Sequence, residues 1–158
     1  MDLETRNRII TIVLGVVIVF LGYYLYRSIV DPYQEVLEER EMTERVQHRM
    51  SIVRDALIEY RNVRGEFPPS EGGLDSLIQF LKTNDRMVAE GESLFEERPP
   101  SSYDPDSLRF SPRPPHNEFS YTLNDTLRPQ IYLLEDPDSD MAIGDLERTT
   151  LLNAPNWN

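Results

Sequence analysis

The chain has 158 residues, a net charge of −12 and no cysteine. The missing cysteines exclude a disulfide framework, a thiolate metal site and a cysteine nucleophile. The acid excess lies wholly beyond residue 26, because Asp2 and Glu4 cancel Arg6 and Arg8. So acidic a domain is a poor partner for nucleic acid or for an anionic lipid surface, both of which need clustered cations.

The first element is an apolar run, Ile9–Tyr26, without a charged residue. At about 1.5 Å per residue, 18 residues span about 27 Å, close to the hydrocarbon thickness of a bilayer. Tyr23, Tyr24 and Tyr26 followed by Arg27 read as an interfacial aromatic belt with a snorkelling cation. A cleaved signal peptide has a shorter apolar core and a small-residue cleavage site. Here the run ends in tyrosines and no Ala-x-Ala follows. The expectation is a transmembrane helix at 9–26 with residues 1–8 as a cytoplasmic N-terminus. Arg6 and Arg8 before the span outnumber Arg27 after it, which favours that orientation.

Asp31-Pro32 reads as the end of the span and the start of a new helix, with Asp31 as its cap. Residues 27–45 form a charged helical stem in which Glu35, Glu38, Glu39, Glu41 and Glu44 alternate with Arg40 and Arg45. The soluble domain is expected over 46–158. Val46, Met50, Val53, Leu57 and Tyr60 make one helical seam, which Ile52, Ala56 and Val63 widen. That face either packs on the domain's own sheet or pairs with another helix, in self-association or with other envelope proteins, through Val46–Tyr60.

Gly65 ends this long amphipathic helix and Pro68-Pro69 prevents its continuation. Ser70 is the expected cap of a short helix with the face Leu74, Leu77, Ile78 and Leu81, and Lys82 complements its dipole. From Thr83 to Pro105 periodicity is absent, and Pro99-Pro100-Ser101-Ser102 reads as loop. Leu108-Arg109-Phe110, Phe119–Leu123 and Gln130–Leu134 read as strands, the last two joined as a hairpin through Asn124–Pro129. The fold class is therefore α+β: a membrane helix, a long helix, a short helix and a small antiparallel sheet.

Tyr60-Arg61-Asn62-Val63-Arg64-Gly65-Glu66-Phe67-Pro68-Pro69-Ser70-Glu71-Gly72-Gly73-Leu74-Asp75-Ser76-Leu77 resembles the hallmark segment of the major pseudopilin of the type II secretion system. That pattern is Tyr-x4-Gly-x-Tyr-Pro-Thr-Thr-Glu-x-Gly-Leu-x-x-Leu. It matches without a gap at Tyr60, Gly65, Pro68, Glu71, Gly73, Leu74 and Leu77. The resemblance implies an apolar helix running into an amphipathic helix laid across a small antiparallel sheet. It also implies a periplasmic domain on a bacterial inner-membrane protein, within a secretion- or pilus-like machine. The sequence departs from the family ahead of the span, where Arg8 replaces the cleavage-site glycine. The fifth residues after Gly15 and Gly22 are Phe20 and Arg27, not the family's glutamate. The expected role is accordingly that of a permanent tether. Leu77–Thr83, Tyr103–Phe110 and Asn156-Trp157 further resemble segments of uncharacterised single-pass membrane proteins of the Bacteroidetes type.

One stretch has the composition of a cation site. Asp136, Asp138, Asp140, Asp145 and Glu147 occupy positions 1, 3, 5, 10 and 12 of a twelve-residue loop. Calcium loops take oxygen ligands at 1, 3, 5, 7, 9 and 12 with glycine at 6, where this chain has Met141. Major pseudopilins hold calcium in a C-terminal loop, so the resemblance adds to the case for calcium here without assigning it as a cofactor. The alternative is an acidic, solvent-exposed loop. His48 and His116 form no metal-ligand pair by spacing and read as surface residues. Nucleotide-phosphate glycine loops are absent. No catalytic residue, cofactor-binding residue or firm metal ligand is assigned, and the chain reads as a non-enzyme. Trp157 reads as a plug on the sheet.

Overall fold

The computed structural model describes residues 3–99 and 101–157, with the backbone alone at 30–32. Helix α1 runs Leu3–Arg64, α2 Gly73–Thr83 and α3 Asp85–Leu94. Strands β1 (Ser120–Asn124), β2 (Ile131–Glu135) and β3 (Ala142–Gly144) form one antiparallel sheet in that order. The fold is α+β. The chain divides into two compact units after Glu41.

The first unit is the N-terminal part of α1. Every large apolar side chain from Ile9 to Tyr26 is between 44% and 73% exposed. Among the described residues this is the one helix long and apolar enough to cross a membrane. The helix does not restart at Asp31-Pro32; its backbone is helical through both positions. Proline costs an internal helix one hydrogen bond and a clash, about 3 kcal/mol, which a helix of 62 residues can carry. The expected Asp31 side-chain cap lies outside the described residues, as do Met1 and Asp2 of the expected N-terminus and Pro100 of the proline run.

In the second unit, Val46, Met50, Val53 and Leu57 are at most 1% exposed. They join Leu77 and Leu81 of α2 and Tyr132, Leu134 and Ile143 of the sheet in one hydrophobic cluster. The Val46–Tyr60 seam thus packs on the domain's own core, the first of the two uses its pattern allows. Val63, in the helix's last turn, departs from the seam and is exposed. Gly65 stops the helix at φ +86°, its N–H donating to the Arg61 carbonyl at 2.8 Å.

Register confirms the hairpin: Asn124 pairs with Ile131 and Tyr121 with Leu134. The central strand starts one residue later than expected, because Gln130 turns its side chain to the Phe67 N–H. Strand β3 pairs Ile143 with Leu134, and the C-terminal tail caps its outer edge through an Ile143–Pro155 bridge. Trp157 packs partly buried against the core, as expected of a plug.

Three further local expectations are corrected. The region 83–105 contains α3, whose Asn84 side chain accepts hydrogen bonds from the N–H groups of Arg86 and Met87. Leu108–Phe110 is not a strand: Pro105–Arg109 is a 3-10 helix capped by Asp104, and only Phe110 bridges to Glu118. Ser70 does not cap α2; Gly72 holds that position in the left-handed region. The Ser70 hydroxyl instead accepts from the Leu123 N–H at 2.9 Å and donates to the Leu123 carbonyl at 3.3 Å, tying the turn to the sheet edge.

Candidate functional site

The segment Tyr60–Leu77 is the joint between helix and sheet. Tyr60 meets Phe80 edge to face at 5.2 Å, and Phe67 meets Tyr132 at 5.0 Å. The Tyr121 hydroxyl crosses from β1 to donate to the Pro68 carbonyl at 2.9 Å. Burial pushes the Tyr121 phenol far above its ordinary value, with Tyr132 and Tyr60 adding to the shift. The phenol is therefore a fixed neutral donor. Glu71 is exposed, whereas Leu74 and Leu77 are buried. Phe67, Pro68 and Gly73 are buried with them, whereas Val63 and Pro69 are exposed.

The acidic stretch is split by the sheet. Asp136, Pro137, Asp138, Ser139, Asp140 and Met141 make the turn between β2 and β3, closed by Asp136 N–H donating to the Met141 carbonyl at 3.0 Å. Ala142, Ile143 and Gly144, positions 7 to 9 of the supposed loop, are strand β3, and Ile143 is fully buried. Asp145 and Glu147 follow at the other end of that strand. In this structure the five carboxylates therefore do not lie in one twelve-residue loop. Asp145 instead ties down the backbone that follows it. Its carboxylate accepts from the N–H groups of Glu147 at 2.7 Å and Arg148 at 2.9 Å and pairs with the Arg148 guanidinium. Those bonds, the Glu147 N–H first, lower its pKa from 3.8 to about 2.

Within the turn the carboxylates are only half satisfied. Asp136 is 2% exposed and takes one hydrogen bond, from the Ser139 hydroxyl at 2.6 Å. Asp138 accepts from the Asn117 amide at 2.7 Å. Asp136 Oδ1 and Asp138 Oδ2 are buried with no donor. Asp140 is exposed, and its backbone carbonyl accepts from the Asn156 amide at 2.7 Å. Among the described residues no group of three or more histidine, aspartate or glutamate side chains is placed to share a metal ion.

No protein-family model, curated protein or solved structure matches this chain.

The histidines serve local structure. His48 Nε2 meets the Glu96 carbonyl at 2.7 Å, and His116, at φ +65°, has its Nδ1 3.0 Å from the Ser111 carbonyl. Sequence reasoning missed the ion pair Arg49–Glu97, at 2.8 Å with side chains 9% and 4% exposed. It joins residues 48 positions apart, and no local pattern announces such a pair. It also missed Asn117 as the partner of Asp138, for the same reason.

Proposed function

We propose that the chain is a non-enzymatic, single-pass membrane protein of the bacterial envelope. Ile9–Tyr26 is its span, the acidic domain lies on the periplasmic side of the inner membrane, and its role is structural or scaffolding in a secretion- or pilus-like assembly. The exposed apolar surface of Ile9–Tyr26 carries this reading. Moving a large apolar side chain out of water is worth about 1.5–3 kcal/mol, so transfer of the whole stretch to lipid is favoured by about 20 kcal/mol or more. Backbone groups satisfied within one helix suit it to hydrocarbon. The Tyr60–Leu77 resemblance supports the assembly role, and the departures at Arg8, Phe20 and Arg27 support a permanent tether over a processed fibre subunit.

Membrane fractionation with cross-linking tests the reading. The protein is expected in the alkali-washed membrane pellet, protected from external protease until the outer membrane is opened, and cross-linked to other envelope proteins. Recovery in the soluble fraction, or of the uncross-linked chain alone, counts against it.

A second reading, a tethered cation-binding module, is favoured by the donor-less oxygens Asp136 Oδ1 and Asp138 Oδ2. Buried anionic oxygen without a partner is costly, and a hard cation with turn carbonyls and water would relieve it. Calcium titration of the full chain tests it: the melting temperature should rise at millimolar calcium and not in Asp136→Asn. An unchanged melting temperature in the wild type removes this reading.

A further inference from the structure

The acidic domain pairs most of its cations. Arg54 meets Asp55, Arg86 meets Glu59, Arg98 meets Glu44 and Arg148 meets Asp145, while Lys82 contacts Asp106 and Arg109 contacts Asp75. Arg64 and Arg113 also lie outside these pairs, but Arg61 and Arg128 fall together at one notch. Neither forms an ion pair among the described residues, and they line one open notch of about 250 Å3 together with Gly65, Glu66, Pro129 and Gln130.

Both guanidinium groups are held in ways that leave donors free. Arg61 lies over the Phe67 ring, its central carbon 5.1 Å from the centroid, a contact that uses no N–H. Arg128 spends only Nη1, donating to the carbonyls of Asp125 at 2.6 Å and Leu127 at 2.9 Å. Its Nε and Nη2 remain. Gln130 accepts from the Phe67 N–H through Oε1, which leaves its amide N–H groups as donors at the same notch. Glu66 lines the notch without reaching either guanidinium.

The local alternative is that Arg61, with Arg64, only offsets the negative end of α1, whose last turn holds both. That accounts for Arg61. It does not account for Arg128, which arrives from the loop between β1 and β2. Two guanidinium groups from separate elements line one notch without an ion pair among the described residues, and each offers the N–H fork that oxyanions select. Immobilisation beforehand lowers the entropy lost on binding.

We propose that the Arg61–Arg128 notch is an oxyanion site that takes one carboxylate or phosphate group. It is independent of how the chain is anchored and of the Asp136 turn. A small dicarboxylate or a phosphate is thus bound at one point of a chain whose net charge of −12 repels anions generally.

The test uses the full chain in nanodiscs of zwitterionic lipid, titrated with inorganic phosphate and separately with succinate. Ionic strength is held constant with chloride, and the arginine side-chain N–H signals are read by NMR. Saturable binding of one or both anions is expected, with a Kd of about 1 mM or below. Arg61→Gln and Arg128→Gln should each weaken it about tenfold or more, Arg128→Lys by less, and Arg86→Gln not at all. Preference for phosphate or for succinate names the group the site takes. The proposal is overturned if neither anion saturates, or if Arg128→Gln, with an otherwise unchanged spectrum, binds as tightly as the wild type.

Discussion

The Cα of Gly73 lies against the ring of Tyr121: a methyl group there would stand 2.7 Å from Cδ1 and 2.8 Å from Cε1. The Tyr121 ring is buried. Its hydroxyl is tied to the Pro68 carbonyl, and Tyr132 lies behind it with centroids 5.9 Å apart. Glycine at the start of α2 thus lets the helix dock on β1.

Gly73→Ala should therefore destabilise the domain, although alanine ordinarily favours a helix by about 0.5–1 kcal/mol. Overpacking of this kind costs about 1–3 kcal/mol, which lowers the melting temperature by several degrees. In a Tyr121→Ala background the same substitution should cost far less, because the clash is gone. Thermal melts of the four proteins check this; equal costs in both backgrounds would contradict it.

Gly144→Ala should be more damaging. Gly144 has φ +92°, and an added Cβ would lie 2.0 Å from the backbone oxygen of Tyr132. Backbone cannot swing aside as a side chain can, so the loss should be about 3 kcal/mol or more. The fluorescence of Trp157, the sole tryptophan, reports it, since that ring packs on the core beside β3.

Arg49→Met should leave the Glu97 carboxylate buried without its cation and strip the Phe110 carbonyl of its 3.2 Å donor. Breaking one half of a buried pair costs about 3–5 kcal/mol. Adding Glu97→Gln removes the stranded charge, so the double variant should recover part of the stability. Urea denaturation measures both; a double variant no more stable than Arg49→Met would show that the charge is not the cause.

Asp145 should titrate near pH 2. Its folded pKa lies below the ordinary 3.8, so its bonds to Glu147, Arg148 and the Arg148 side chain stabilise the fold fully above about pH 4. That contribution is lost as pH falls through about 2. Carboxyl carbon NMR should find Asp145 still ionised at pH 3, and a midpoint near 4 would mean that the bonds do not form in solution. Asp145→Asn should remove this part of the acid dependence.

Regular pattern was legible wherever burial was one-sided and sustained. The spacing of Val46, Met50, Val53 and Leu57 gave the core face of α1, and the alternation Phe119, Tyr121, Leu123 gave β1. Helix α3 escaped because only Met87 and Gly91 of it are buried, and a glycine carries no hydrophobic signal. Its cap, Asn84 ahead of Asp85, was readable but unaccompanied by a seam. Strand β3 is three residues long, too short for alternation to register, and it lies inside the stretch whose carboxylates suggested a single loop. The acidic turn and the Arg61–Arg128 notch depend on residues far apart in sequence, which composition does not bring together.

A tethered envelope protein requires Ile9–Tyr26 to be a retained span. The most direct measurement is the intact mass of the protein extracted by detergent from alkali-washed membranes. A mass that includes the whole apolar run and Arg6 and Arg8 ahead of it is predicted. A membrane pellet without the protein, or a chain that begins after Gly15 or Gly22, would contradict the tether.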